Sequence, residues 1–210
     1  MSTLNYAVRS PAVSRVASSA PLAILWLLFA AANFADWSET HRPVGLGATV
    51  CELVLAVLFV IRRPAESTDR TFVARGATAI GTFGILLARP NYGPALGLGK
   101  VWFAMQLIGA SIAIASAVAL GRSFGLVAAN RGICTRGPYR FVRHPLYAGY
   151  LIAWTGYVLE NPSAWNLALF AVVTSFQAVR IVTEERCLDS DPAYRDYRER
   201  VPRRVVPFVL

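Results

Sequence analysis

The chain has 210 residues, 55% of them hydrophobic, with a net charge of +9 and a mean hydropathy of +0.46. A soluble domain of this length buries its core with less apolar content, so the expected surroundings are lipid. The charge is nearly all arginine, Lys100 being the only lysine, and beside long apolar runs it points to anionic headgroups and away from nucleic acid.

Residues 1–19 are polar and rich in Ser and Ala. Pro21 to Phe34 is almost wholly apolar and reads as a first transmembrane helix, with a signal peptide ending near Ala30-Ala31-Ala32 as the alternative. Val44 to Ile61 is a second run, broken by Glu52, an acid that belongs either to helix packing or to a site. Val73 to Ala88 is a third, with Gly76, Gly81 and Gly84 suited to close helix contact. A loop at 89–100 precedes Val101 to Leu120, long enough to cross a hydrocarbon core of ~30 Å. In that run Gly109, Ala113 and Ala117 make a smooth packing face. Leu146 to Leu159 is short and stops at Asn161-Pro162. Trp165 to Val182 is the last run, and the two form a helical hairpin. The expected fold is an all-α integral membrane protein of about six apolar segments. Four or five are full spans, and the C-terminal hairpin carries a cofactor pocket. The expected division is 1–120, transmembrane helices, and 121–210, the functional region.

Counted on alternate sides of these runs, one face collects Arg9 and Arg15, the arginines of loop 62–75 and of loop 121–144, and those of the tail. The other holds only Arg42, Arg89 and Lys100. This skew places both termini and the pocket in the cytoplasm. The arginine bias suggests a GC-rich bacterial genome and so the bacterial inner (plasma) membrane.

Chemistry is concentrated in Arg131 to Tyr150, the most basic stretch between two long apolar segments. Gly137-Pro138 predicts a turn, and His144-Pro145 predicts a helix start at Pro145. A second cluster lies at the end of the last helix. Arg180 and Glu184 are four apart and share a face, whereas the adjacent Glu184 and Glu185 point to different faces. Arg180 sits near the end of an apolar run, where a charge needs a partner or a polar cavity. The plainer alternative is a set of charges snorkelling at a membrane boundary. Cys51, Cys134 and Cys187 are widely separated and match neither a zinc motif nor a disulfide framework; no metal is expected.

Gly-Pro-Tyr-x-x-x-Arg-His-Pro-x-Tyr-x-Gly from Gly137, Arg-x-x-x-Glu-Glu-x-x-Leu from Arg180, Tyr-x-x-Tyr from Tyr194 and Val201-Pro202-Arg203 follow in order. Together they resemble the isoprenylcysteine carboxyl methyltransferase family, with parts shared by phospholipid N-methyltransferases, over about residues 120–207. The resemblance implies an integral membrane enzyme that uses S-adenosylmethionine (SAM). It assigns cofactor binding to Tyr139, His144, Pro145, Leu146, Tyr147 and Glu184, and substrate binding to Arg180. Arg131, Gly132, Ile133 and Cys134 fall on a further cofactor-contacting stretch, with Arg131 where the family has His. Cys187 to Pro192 replaces the usual Phe-Gly linker.

The residue chemistry suits that assignment. A carboxylate at Glu184 can pair with an ammonium, and the rings of Tyr139 and Tyr147 attract a sulfonium. A carboxylate acceptor needs no base and can be held by Arg180. An amine acceptor must lose a proton, and Glu185 or His144 is then the candidate base. The acceptor is lipophilic, either the carboxylate of a prenylated-cysteine-like substrate or a lipid amine. Two alternatives stand beside this reading. A sterol-type membrane reductase has a similar His-Pro-x-Tyr-x-Gly segment but binds NADPH, whose phosphates would call for more basic contacts. A non-catalytic membrane scaffold needs neither cofactor.

Overall fold

The computed structural model describes residues 11–41, 43–63, 67–68, 71–91, 98–126 and 129–205, and two compact units divide the chain, 1–64 and 65–210. Arg9, Arg42 and Arg70 of the charge pattern, and residues 206–210, lie outside the described residues. The described structure is helical apart from one two-residue strand pairing.

The first unit is a helical pair, α1 (Pro11–Thr40) and α2 (Pro43–Ile61), joined at His41 with a left-handed φ of 51°. Glu52 is spent on packing here. The Asn33 amide of α1 donates to both of its carboxylate oxygens, at 3.0 and 3.1 Å. The helices cross closely because Gly45 has no side chain: a Cβ there would lie 3.1 Å from that of Trp37. At the other end the Arg62 guanidinium donates to Ser19 at 2.9 Å.

The second unit opens with β1 (Ser67–Thr68), paired antiparallel with β2 (Ala129–Asn130). Next is α3 (Phe72–Phe83), whose N-cap Thr71 accepts from the Ala74 N–H at 3.2 Å. It tightens into a 3-10 turn at Gly84–Leu87, where a Cβ on Gly84 would come within 2.7 Å of the Val173 side chain. The long helix α4 (Gly99–Leu120) runs beside α5 (Pro145–Glu160). Gly109, Ala113 and Ala117 are buried, and a Cβ on Gly149 would stand 2.6 Å from the Ala113 nitrogen. The small residues form the packing seam their spacing predicts.

Helix α6 (Ala164–Leu188) packs on α3 and completes the hairpin with α5. It runs six residues past the apolar run, because Thr183 to Arg186 are polar but helix-compatible. A tight turn leads to α7 (Pro192–Arg200), with Asp191 as N-cap and Pro192 at the first helical position. Among the described residues three helices are long and apolar enough to cross a membrane, within Ser19–Glu39, Gly99–Ser123 and Ala164–Leu188. Helix α5, with 16 residues, is shorter than a full span requires. The compact units divide at residue 64, whereas the composition suggested a boundary at 120. Helices α3 and α4 belong with the C-terminal region because their small-residue faces pack on α6 and α5.

Candidate active site

The start of α5 brings the site together. Pro145 fixes the first helical turn, and His144 occupies the N-cap position without a side-chain cap bond, so its imidazole is left for other partners. The ring is buried and lies between the two adjacent acids of α6. Nε2 is 3.1 Å from Glu185 Oε1, and Nδ1 is 3.9 Å from Glu184 Oε2. Glu185 also accepts from Arg143 Nε at 3.0 Å and Arg204 Nε at 3.1 Å. Flanked by these cations it is a carboxylate, so His144 Nε2–H donates to it, which fixes the ring's orientation.

The same arginines lace the C-terminal segment across the site. The backbone N–H groups of Arg143 and His144 donate to the carbonyls of Arg203 and Arg204, at 2.9 and 2.7 Å. Arg143 Nη1 donates to the Val201 and Pro202 carbonyls at 3.0 and 2.7 Å. Beneath this strap Tyr139, Tyr194 and Tyr197 form a buried aromatic cluster against Ile133, Cys134 and Leu188. The Tyr197 hydroxyl donates to the Tyr139 carbonyl at 2.7 Å. Burial holds the Tyr139 phenol well above its usual range, and the nearby Glu184 charge adds to this, so it faces the site as a neutral donor.

These elements enclose a cavity of ≈ 110 Å³ that opens to solvent. Of the residues singled out in the sequence, Arg131, Gly132, Ile133, Cys134, Tyr139, His144, Leu146, Tyr147, Arg180 and Glu184 all line it. Pro145 and Glu185 do not; Pro145 shapes the helix start, and Glu185 is taken up by Arg143, His144 and Arg204. Glu184 accepts from the Tyr147 hydroxyl and keeps its other oxygen toward His144 and the cavity. Arg180 is 5% exposed, with its guanidinium carbon 5.3 Å from the centre of the Tyr147 ring.

Several contacts that shape the site cannot be read from the linear motif. Asn130 is buried, donates to Asp191 at 2.9 Å and accepts from the Gly132 N–H at 2.9 Å. That bond holds Gly132 at φ 96°, a conformation that favours glycine. Arg131 lies flat against Gly125, where a Cβ would come within 2.5 Å of its guanidinium. Arg143 and Arg204 were visible as charges but not as the clamp on Glu185.

Comparison with known proteins agrees with this picture. Residues 91–191 match the family described as phospholipid methyltransferase. Protein-S-isoprenylcysteine O-methyltransferase A of Arabidopsis thaliana is 39% identical over 115 residues, covering 50% of this chain and 57% of the relative. Methanethiol S-methyltransferase 1 of Bradyrhizobium diazoefficiens is 41% identical over 66 residues, covering 30% and 22%. The cobalt-zinc-cadmium resistance protein CzcN of Cupriavidus metallidurans is 26% identical over 165 residues, covering 78% and 63%. The resemblance to isoprenylcysteine methyltransferases is borne out by the family match and the Arabidopsis relative. In each case the match spans less than two thirds of the relative's own length.

Proposed function

We propose that the chain is a membrane methyltransferase that takes SAM in the α5–α6–α7 cavity and methylates the carboxylate of a lipophilic, prenylated-cysteine-like acceptor. The observation that carries it is the presence in one cavity of an available acid, Glu184, and a buried cation without a direct ion pair, Arg180.

The donor set fits SAM. Glu184 keeps one oxygen for an ammonium, Tyr139 and Tyr147 offer aromatic faces to a sulfonium, and Leu120, Ile133, Leu146 and Leu188 supply apolar wall for an adenine. When bound, SAM supplies an electrophilic methyl group and a neutral thioether leaving group. The chain's own work is then to bind, align and keep the site dry. Arg180 holds the acceptor carboxylate. Tyr147 fixes Glu184, and the strap at residues 201–204 covers the start of α5. A carboxylate has no proton to lose at neutral pH, so this reaction needs no general base.

A lipid amine suits the site less well. Glu185, the base candidate for an amine, is occupied by Arg143, His144 and Arg204, and a protonated amine would be repelled by Arg180. We place the acceptor's apolar tail in the bilayer and the tail of the chain in the cytoplasm, on the strength of the Lys/Arg asymmetry. A cytoplasmic reporter fused at the C-terminus should be active.

The test is transfer of labelled methyl from SAM, by the purified full chain, to an S-prenylcysteine carboxylate and to a phospholipid amine. The expected product carries alkali-labile label, as a methyl ester does. Alkali-stable label in lipid would support the amine acceptor, and NADPH binding without SAM binding would point to the reductase.

A further inference from the structure

Arg180 is held in part by a residue that the family match does not reach, Thr82 of α3. No carboxylate lies within ion-pair distance of its guanidinium among the described residues. A buried charge with no acid in direct contact is costly, even with the Glu184 charge nearby, so the groups around it reveal what it is kept for. Nη1 donates to the Thr82 hydroxyl oxygen at 3.0 Å, and Nη2 donates to the Leu126 carbonyl at 2.9 Å. Nε has no hydrogen-bond partner, and the side chain lines the cavity. A guanidinium is a rigid planar fork, so two fixed acceptors set its plane and leave the Nε edge as the one to be shared.

Helix α3 is cut to fit this arrangement. A Cβ on Gly81 would lie 3.2 Å from Arg180 Cδ and 3.5 Å from Gln177 Cγ, so glycine leaves the arginine stem its path. The Gly81 carbonyl accepts from the Gln177 amide at 3.3 Å, which ties α3 to α6 one turn before Arg180.

We propose that Thr82 is a positioning residue for the acceptor: its oxygen turns Arg180 so that the Nε edge meets the acceptor's carboxylate, which makes α3 part of the acceptor site. The proposal rests on the reading of Arg180 as the carboxylate holder. Thr82 touches no reacting atom; it acts through Arg180.

The test compares a farnesyl thioether carboxylate with its methyl ester, as binding probes for the full chain in detergent micelles. The wild type should bind the acid roughly tenfold more tightly than the ester, the scale of a hydrogen bond to a charged group. Thr82→Val, which keeps the shape and removes the oxygen, should bring that ratio close to one. Thr82→Ser should keep most of it. SAM affinity and melting temperature should stay near wild-type values in both. If Thr82→Val keeps the acid preference, the positioning role is wrong and the reading of Arg180 stands. If Thr82→Val loses SAM affinity and thermal stability along with the preference, Thr82 is merely structural and the proposal fails. If the wild type shows no preference, or Arg180→Gln retains it, the carboxylate reading falls and this proposal with it.

Discussion

At the turn between α5 and α6, Asn166 is fully buried and saturated: it accepts from the Arg89 N–H at 3.1 Å and donates to the Arg89 and Asn161 carbonyls, both at 2.8 Å. Asn91 adds bonds to Asn161 and Pro162 at 3.0 and 2.6 Å. At the opposite end of the same two helices the partners are charges, and they are not saturated. Glu185 meets two arginines and His144, Glu184 has an oxygen to spare, and Arg180 has an N–H without a partner. Both ends bury polar groups between the same helices. The neutral amide knot closes its own hydrogen bonds and serves the fold. The charged end leaves bonds open, as the proposed ligand site requires.

Breaking the knot should give the largest effect on stability. Asn166→Ala strands partly buried backbone groups of Arg89 and Asn161, and should cost about 2 kcal/mol or more, seen as a lower melting temperature of the purified protein. SAM affinity measured well below that melting point should be unchanged. Breaking the charged clamp should affect both quantities. Glu185→Gln removes the charge that holds Arg143, His144 and Arg204, and should cost about 2 kcal/mol while weakening SAM binding, because His144 loses its orienting partner. Calorimetric titration together with thermal unfolding separates the two losses. A smaller change is expected for Tyr147→Phe, which takes one donor from Glu184. It should raise the SAM dissociation constant about fivefold and leave the melting temperature alone. The smallest is Arg198→Ala. Its 2.6 Å pair with Asp189 is about half exposed on both sides, so solvent screening leaves within about 0.5 kcal/mol to lose, and ligand binding should not move.

The comparison also explains what could be read in the sequence. The helices were legible because lipid demands long apolar runs, and α2, α4 and α5 begin and end within two residues of theirs. Helix α6 outran its apolar run because helix formation tolerates charges that hydropathy penalises. The site was legible where its residues are neighbours in sequence, as at His144-Pro145-Leu146-Tyr147, or a helical turn apart, as at Arg180 and Glu184. Its long-range parts were not. Nothing in the spacing of Thr82, Asn130 or Arg204 shows that they meet Arg180, Asp191 and Glu185 across 98, 61 and 19 positions. The asparagine knot was equally hidden: Asn161-Pro162 was visible as a helix break, but not as a partner for Asn91 and Asn166.

The most direct measurement is equilibrium binding of SAM to the purified full chain and to Glu184→Gln, with melting temperatures taken on the same samples. Saturable binding by the wild type and at least a tenfold loss in a variant that melts like the wild type are the predicted results. Equal affinities in the two folded proteins would contradict the claim that this acid holds the methyl donor.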